Sequence, residues 1–162
     1  MVLCLRGANE QDLVKLRADT NAADDFLFDD EAYKKGDLVD FDKAWYALQF
    51  MFTGSGDESD HPLSLIPTNP ERIGTDNGYG GPWLISQARV VAFNAALSEL
   101  TDKQLESRYD PAAMAERDIY LADMFVEEGS EALEYIMQSI PELRALVARC
   151  ADEKSGMVGI IT

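Results

Sequence analysis

The segment Phe41–Phe52 constrains this chain more than any other. Phe41, Trp45, Leu48 and Phe52 fall at i, i+4, i+7 and i+11, one apolar stripe of a helix. Tyr46, Phe50 and Met51 carry apolar surface around to its other sides. Such a helix persists in water only when neighbours cover it on more than one side, so the rest of the chain must wrap it. Asp40 is placed to cap its start, and Gly54 stands where a left-handed residue closes a helix.

The flanking segments read as shorter elements. Residues 2–6 predict a buried strand, and Met157–Ile161 a terminal strand able to pair with it. Asn9 with Asp12 three residues later predicts a helix to Ala18, with Leu13 and Leu16 inward. Residues 21–36 mix acids with Phe26, Leu27, Phe28 and Tyr33 and predict one short helix ended by Gly36. Residues 54–61 read as a flexible polar loop, and Pro62 and Pro67 bracket a short strand at Leu63–Ile66. Trp83–Ile85 reads as a strand end, and Ser86 caps a helix through Val90, Phe93 and Leu97. Thr101 and Gln104 form a capping box. Asp110-Pro111 is an N-cap followed by proline at the first helical position, ending near Asp118 or Tyr120. Ser130 opens a last helical stretch that Pro141 must kink or restart. No βαβ rhythm, repeat or linker breaks this pattern. It predicts a single domain over residues 1–162 with an α+β fold. That fold is mostly helical, with about six helices on a small sheet that includes the N- and C-terminal strands.

Charge excludes several functions. The chain holds 30 Asp+Glu against 14 Lys+Arg, a formal net charge of −16. That balance disfavours direct contact with nucleic acid or an anionic membrane, both of which are neutralised by Lys and Arg. No stretch approaches the roughly 20 apolar residues of a membrane span, and no export leader is evident, so a cytoplasmic protein is expected. The acids fall in two blocks. Residues 19–60 hold twelve acids against three bases, and residues 99–134 eleven against three. Blocks of this length create a one-signed field that steers cationic partners.

No catalytic set is legible. The one histidine, His61, sits in the polar loop; Cys4 and Cys150 lie near opposite ends of the chain and read as reduced, buried thiols. One His and two distant Cys give no zinc-ligand spacing. Gly74–Gly81 lacks a phosphate-loop ending, so neither a metal nor a cofactor is expected. Two candidate sites remain. Asp24, Asp25, Asp29, Asp30 and Glu31, with Phe26 and Phe28 among them, combine charge with aromatic anchors and suit a partner-binding surface. Asp76, Asn77, Tyr79 and Trp83 put polar and aromatic groups among glycines and suit a pocket.

Several segments carry a family resemblance. They are Asn9-Glu10-Gln11-Asp12-Leu13 after the first strand, Asp42-Lys43-Ala44-Trp45-Tyr46-Ala47-Leu48 running to Thr53-Gly54, Pro62-Leu63, Gly78-Tyr79-Gly80 with Pro82, Tyr109-Asp110-Pro111-Ala112-Ala113-Met114, and the closing apolar strand. In this order the chain resembles the YfbM-like family of small bacterial proteins, a domain of unknown function. The resemblance implies an α+β fold and brings no catalytic residues. The expected function is a non-enzymatic acidic binding module, foremost an immunity or inhibitor protein that blocks the basic active-site cleft of a cognate toxin. The alternatives are a small-molecule-binding protein or enzyme that uses the 74–83 loop, and a nucleic-acid mimic.

Overall fold

The computed structural model describes residues 1–19 and 21–162, while Thr20 and the side chain of Asp30 lie outside the described residues. Strand β1 (Leu3–Ala8) has β2 (Leu38–Asp40) on one side and β5 (Gly156–Ile161) on the other. β4 (Trp83–Ile85) extends the sheet beyond β5, and β3 (Glu71–Arg72) closes it, giving the order β2-β1-β5-β4-β3 with every pair antiparallel. The terminal strands pair as expected, with Leu3 opposite Ile161 and Ala8 opposite Gly156.

Alternation along the strands divides the core into two layers. Leu3, Leu5, Trp83, Ile85, Met157 and Ile161 face the larger cluster, whereas Cys4, Ala8, Leu84, Val158 and Ile160 face the smaller. Both faces are covered, which explains why the central strands read as continuous apolar runs. Gly159 makes this close packing possible, because a Cβ there would lie 2.5 Å from the Trp83 indole.

The smaller layer holds α1 (Glu10–Ala18), α2 (Ala22–Leu27) and α3 (Asp30–Lys34). The larger holds α4 (Trp45–Thr53), α5 (Gln87–Glu99), α6 (Asp102–Glu106), α7 (Pro111–Glu116), α8 (Ala122–Glu128), α9 (Ser130–Met137) and α10 (Ile140–Asp152). The fold is therefore α+β and mostly helical, with the helical mass cut into shorter pieces than the periodicity implied. The caps explain many of the boundaries. Asn9 and Thr101 form capping boxes, Ser86 and Asp110 accept from the third residue of their helices, and Gly54 takes φ 79° at the end of α4.

Four local expectations need correction. The helix expected from Asp40 starts later: Asp40 ends β2, its Oδ1 accepts from the Asp42 N–H, and a 3₁₀ turn at Asp42–Ala44 leads into α4 at Trp45. Residues 21–36 form two helices, because Asp29 caps a second one by accepting from the Glu31 N–H. Leu63–Ile66 is not a strand, and residues 54–61 are not a free excursion. Both belong to one irregular segment held by Gln49, a fully buried polar residue on α4. The Gln49 amide nitrogen donates to Asp57 O and Ser64 Oγ, and its oxygen accepts from Leu65 N–H, all within 2.8–2.9 Å. A side chain can replace strand pairing in this way, because buried backbone groups need only a partner of correct geometry.

Candidate functional site

The smaller layer presents the start of the first acidic block to solvent. Residues 19–33 contain six acids and no lysine or arginine. Two of the residues expected to form a binding surface serve the fold instead. Phe26 is half-buried in the smaller cluster, with the Arg6 guanidinium 4.0 Å above its ring. Asp29 caps α3 and accepts from Arg6 Nη2 at 3.4 Å. The others face outward. Asp24 and Asp25 are exposed and make no side-chain hydrogen bond or ion pair among the described residues, and Glu31 makes a surface pair with Lys34. Phe28 is 53% exposed, and Tyr33, five residues further along, is 66% exposed. Tyr33 belongs with this surface although it was not among the expected site residues; the signal was an aromatic in a helix with too few apolar neighbours to bury it. The Asp30 backbone opens α3, and its side chain, part of the expected surface, lies outside the described residues.

The second acidic block spans α6–α9 and packs on the opposite face of the sheet, through Leu105, Met114, Phe125 and Ile136. Residues 19–33 therefore present a surface separate from the second block, whereas Asp42 and Asp57 of the first block lie beside it, near Tyr135 and Tyr46.

In the 74–83 loop, the four expected residues point in different directions. Asp76 Oδ1 accepts from the Gly78 and Gly80 N–H groups, both at 2.8 Å. Those two bonds, from Gly80 and then Gly78, hold its carboxyl below the usual range, with Arg72 adding a smaller pull. Asn77 donates to Ile161 O at 2.7 Å and accepts from the Tyr79 and Gly81 N–H groups. Trp83 is buried in β4, while Tyr79 is 45% exposed. Gly81 is required here, since its φ is +70° and a Cβ would lie 2.7 Å from Thr75 O. The loop thus spends its polar groups on its own turn and on the end of β5.

The thiols and one phenol are held protonated. Burial, reinforced by Asp40, pushes Cys4 up to about 12. Burial likewise pushes Cys150 up to about 11, against a lowering effect of Arg149. Both are free cysteines inside the fold, far from the thiolate form that acts as a nucleophile. Tyr135 is pushed up to about 12 by burial first, and next by Asp42, whose Oδ2 accepts its O–H at 2.8 Å. Tyr135 Oη also accepts from the Lys43 N–H and ties α9 to the start of α4. His61 Nδ1 accepts from the Leu63 N–H at 3.1 Å, so the neutral ring carries its proton on Nε2.

Comparison with known proteins agrees with this architecture. A structure described as a protein of unknown function, YfbM from Escherichia coli, superposes with a TM-score of 0.67. The two chains are 19% identical, and the match covers 100% of each, so the likeness shows a common fold. No curated protein matches the chain. The family described as "Domain of unknown function (DUF1877)" matches residues 1–160. The chain belongs to this YfbM-like family.

Proposed function

We propose that this protein is an acidic binding module whose outer α2–α3 surface docks on a basic protein. The observation that carries the reading is the pair Phe28 and Tyr33, left exposed beside carboxylates with no structural duty. Exposed aromatics supply contact area at low entropic cost, and unpaired carboxylates around them raise the association rate with a cationic partner. A surface of this kind suits an inhibitor that occupies a basic active-site cleft, such as an immunity protein facing a cognate toxin, with the cytoplasm as the expected setting.

The test starts with capture of partners from the cells that encode the chain and with the products of the adjacent genes. The wild type is expected to retain a basic protein, and the double variant Asp24→Lys/Asp25→Lys to lower its association rate by about tenfold at low salt. Phe28→Ala/Tyr33→Ala is expected to shorten the lifetime of the complex. A partner bound equally by both variants overturns the reading.

A further inference from the structure

Among the described residues, five of the eight arginines pair with carboxylates: Arg6, Arg17, Arg72, Arg144 and Arg149. The other three donate to backbone carbonyls instead, and all three converge on residues 51–61. Arg89 Nη2 donates to Ser59 O and His61 O, both at 3.1 Å. Arg108 Nη1 reaches Met51 O and Phe52 O at 3.3 and 3.4 Å, and Arg117 Nη1 reaches Gly54 O at 2.7 Å. Arg108 and Arg117 thereby cap the free carbonyls at the C-terminal end of α4.

Arg108 lines a cleft of about 530 Å³ at the C-terminal end of α4, with Phe50, Thr53, His61, Ser107 and Asp110 among others, while Arg89 and Arg117 hold the carbonyls of the lining residues His61 and Gly54. Two segments of the family resemblance meet there, the end of the Asp42–Gly54 stretch and Tyr109–Met114. Arg108 is exposed, and only its Nη1 is engaged, which leaves Nη2 and Nε with no hydrogen bond among the described residues. His61 offers its Nε2–H. Asp110 also lines the cleft, but its Oδ1 is committed to the Ala113 N–H as the cap of α7. Asp60 acts on Arg89, and Asp57 accepts from Ser55 Oγ. Phe50, with the Arg117 guanidinium 5.6 Å from its ring centroid, gives the cleft an apolar wall.

We infer that this cleft binds a small ligand with a terminal oxyanion, phosphate or carboxylate, on an apolar body, with Arg108 and His61 donating to the oxyanion. A planar guanidinium with two free donor nitrogens matches such a group in geometry and charge. The site lies on the larger layer and is independent of the α2–α3 surface.

Amide-resolved NMR titration with phenyl phosphate and, separately, phenylacetate tests the inference. Saturable shifts are expected at Phe52, Gly54 and Ser107–Asp110, with a dissociation constant on the order of 1 mM. The tighter probe identifies the headgroup, and inorganic phosphate alone is expected to bind more weakly than phenyl phosphate. Arg108→Gln is expected to weaken binding by about tenfold or more, as loss of a charge-assisted contact does. His61→Asn keeps an acceptor for the Leu63 N–H, removes the Nε2–H and leaves the α4 cap untouched, so it is expected to weaken binding with little change in thermal stability. Absence of saturable shifts with both probes overturns the inference, and so does saturable binding that both variants leave unchanged.

Discussion

The two faces of the sheet share the same strands yet carry unequal layers. On one face seven α-helices, α4 to α10, bury Leu48, Phe52, Val90, Phe125 and Leu146 in one continuous cluster. On the other, three helices of five to nine residues cover a cluster of nine buried residues. Helices that short are marginal alone, so packing and a few cross-links must hold them. The cross-links are visible: Arg6 stacks on Phe26 and pairs with Asp29, and Arg17 forms a two-pronged pair with Glu71 across to β3. The difference teaches that stability resides mainly in the thick layer, which leaves the outside of the thin layer available for recognition.

Cavity mutations give the largest expected effect and the most direct way to break this comparison. Leu48→Ala, in the thick layer, is expected to cost about 3–4 kcal/mol in urea denaturation, and Leu27→Ala, in the thin layer, about 2 kcal/mol. The thin layer can collapse onto its cavity, while α4 is boxed in. Equal costs would remove the proposed asymmetry. Gln49→Leu is expected to cost about 2 kcal/mol, because it strands the Leu65 N–H in the interior and removes the donor to Asp57 O and Ser64 Oγ. Hydrogen exchange at Leu65 should accelerate well before exchange in α10.

Alkaline pH sharpens the comparison, because its targets lie in both layers. Cys4, from 9.0, and Tyr135, from 10.0, are raised to about 12, and Cys150, from 9.0, to about 11. Their folded values exceed their unfolded ones, so the protonated forms contribute fully below pH 9.0, and that stability is lost as pH rises toward 11 and 12. Unfolding free energy is expected to fall across this window, and Cys4→Ala should flatten the fall. Tyr135→Phe is expected to cost about 1 kcal/mol at neutral pH and to flatten it as well. The smallest effect belongs to Asp24→Lys/Asp25→Lys, which should change stability by less than about 0.5 kcal/mol while altering partner association. A large loss of stability there would tie the acidic surface to folding and count against its role in recognition.

What was legible in the sequence was local. Asn9, Thr101, Asp110 and Gly54 marked helix ends because each cap satisfies backbone groups a few residues away. The terminal strands were legible because both faces of β1 and β5 are covered, leaving uninterrupted apolar runs. The edges β2 and β3, of three and two residues, were too short to leave a period. Helix α8 was missed because Leu121, at φ 66°, turns the chain into it without any side-chain cap. For the acidic surface, composition located the charge but could not separate Phe28, which faces out, from Phe26, which Arg6 covers. The α4 cleft depends on arginines 28 to 63 residues from the carbonyls they meet, and such pairings leave no local trace.

The position of β5 has a consequence for synthesis. It is the last strand in the chain but stands in the middle of the sheet, between β1 and β4. A nascent chain that has not reached residue 156 holds two strand pairs, β1–β2 and β3–β4, with no strand between them to complete the sheet. Inward faces such as Leu3, Leu5 and Trp83 then lack their middle strand, so the sheet can assemble only after the C-terminal segment has left the ribosome. Ribosomal pausing shortly before that point is expected to leave those apolar faces open to proteases.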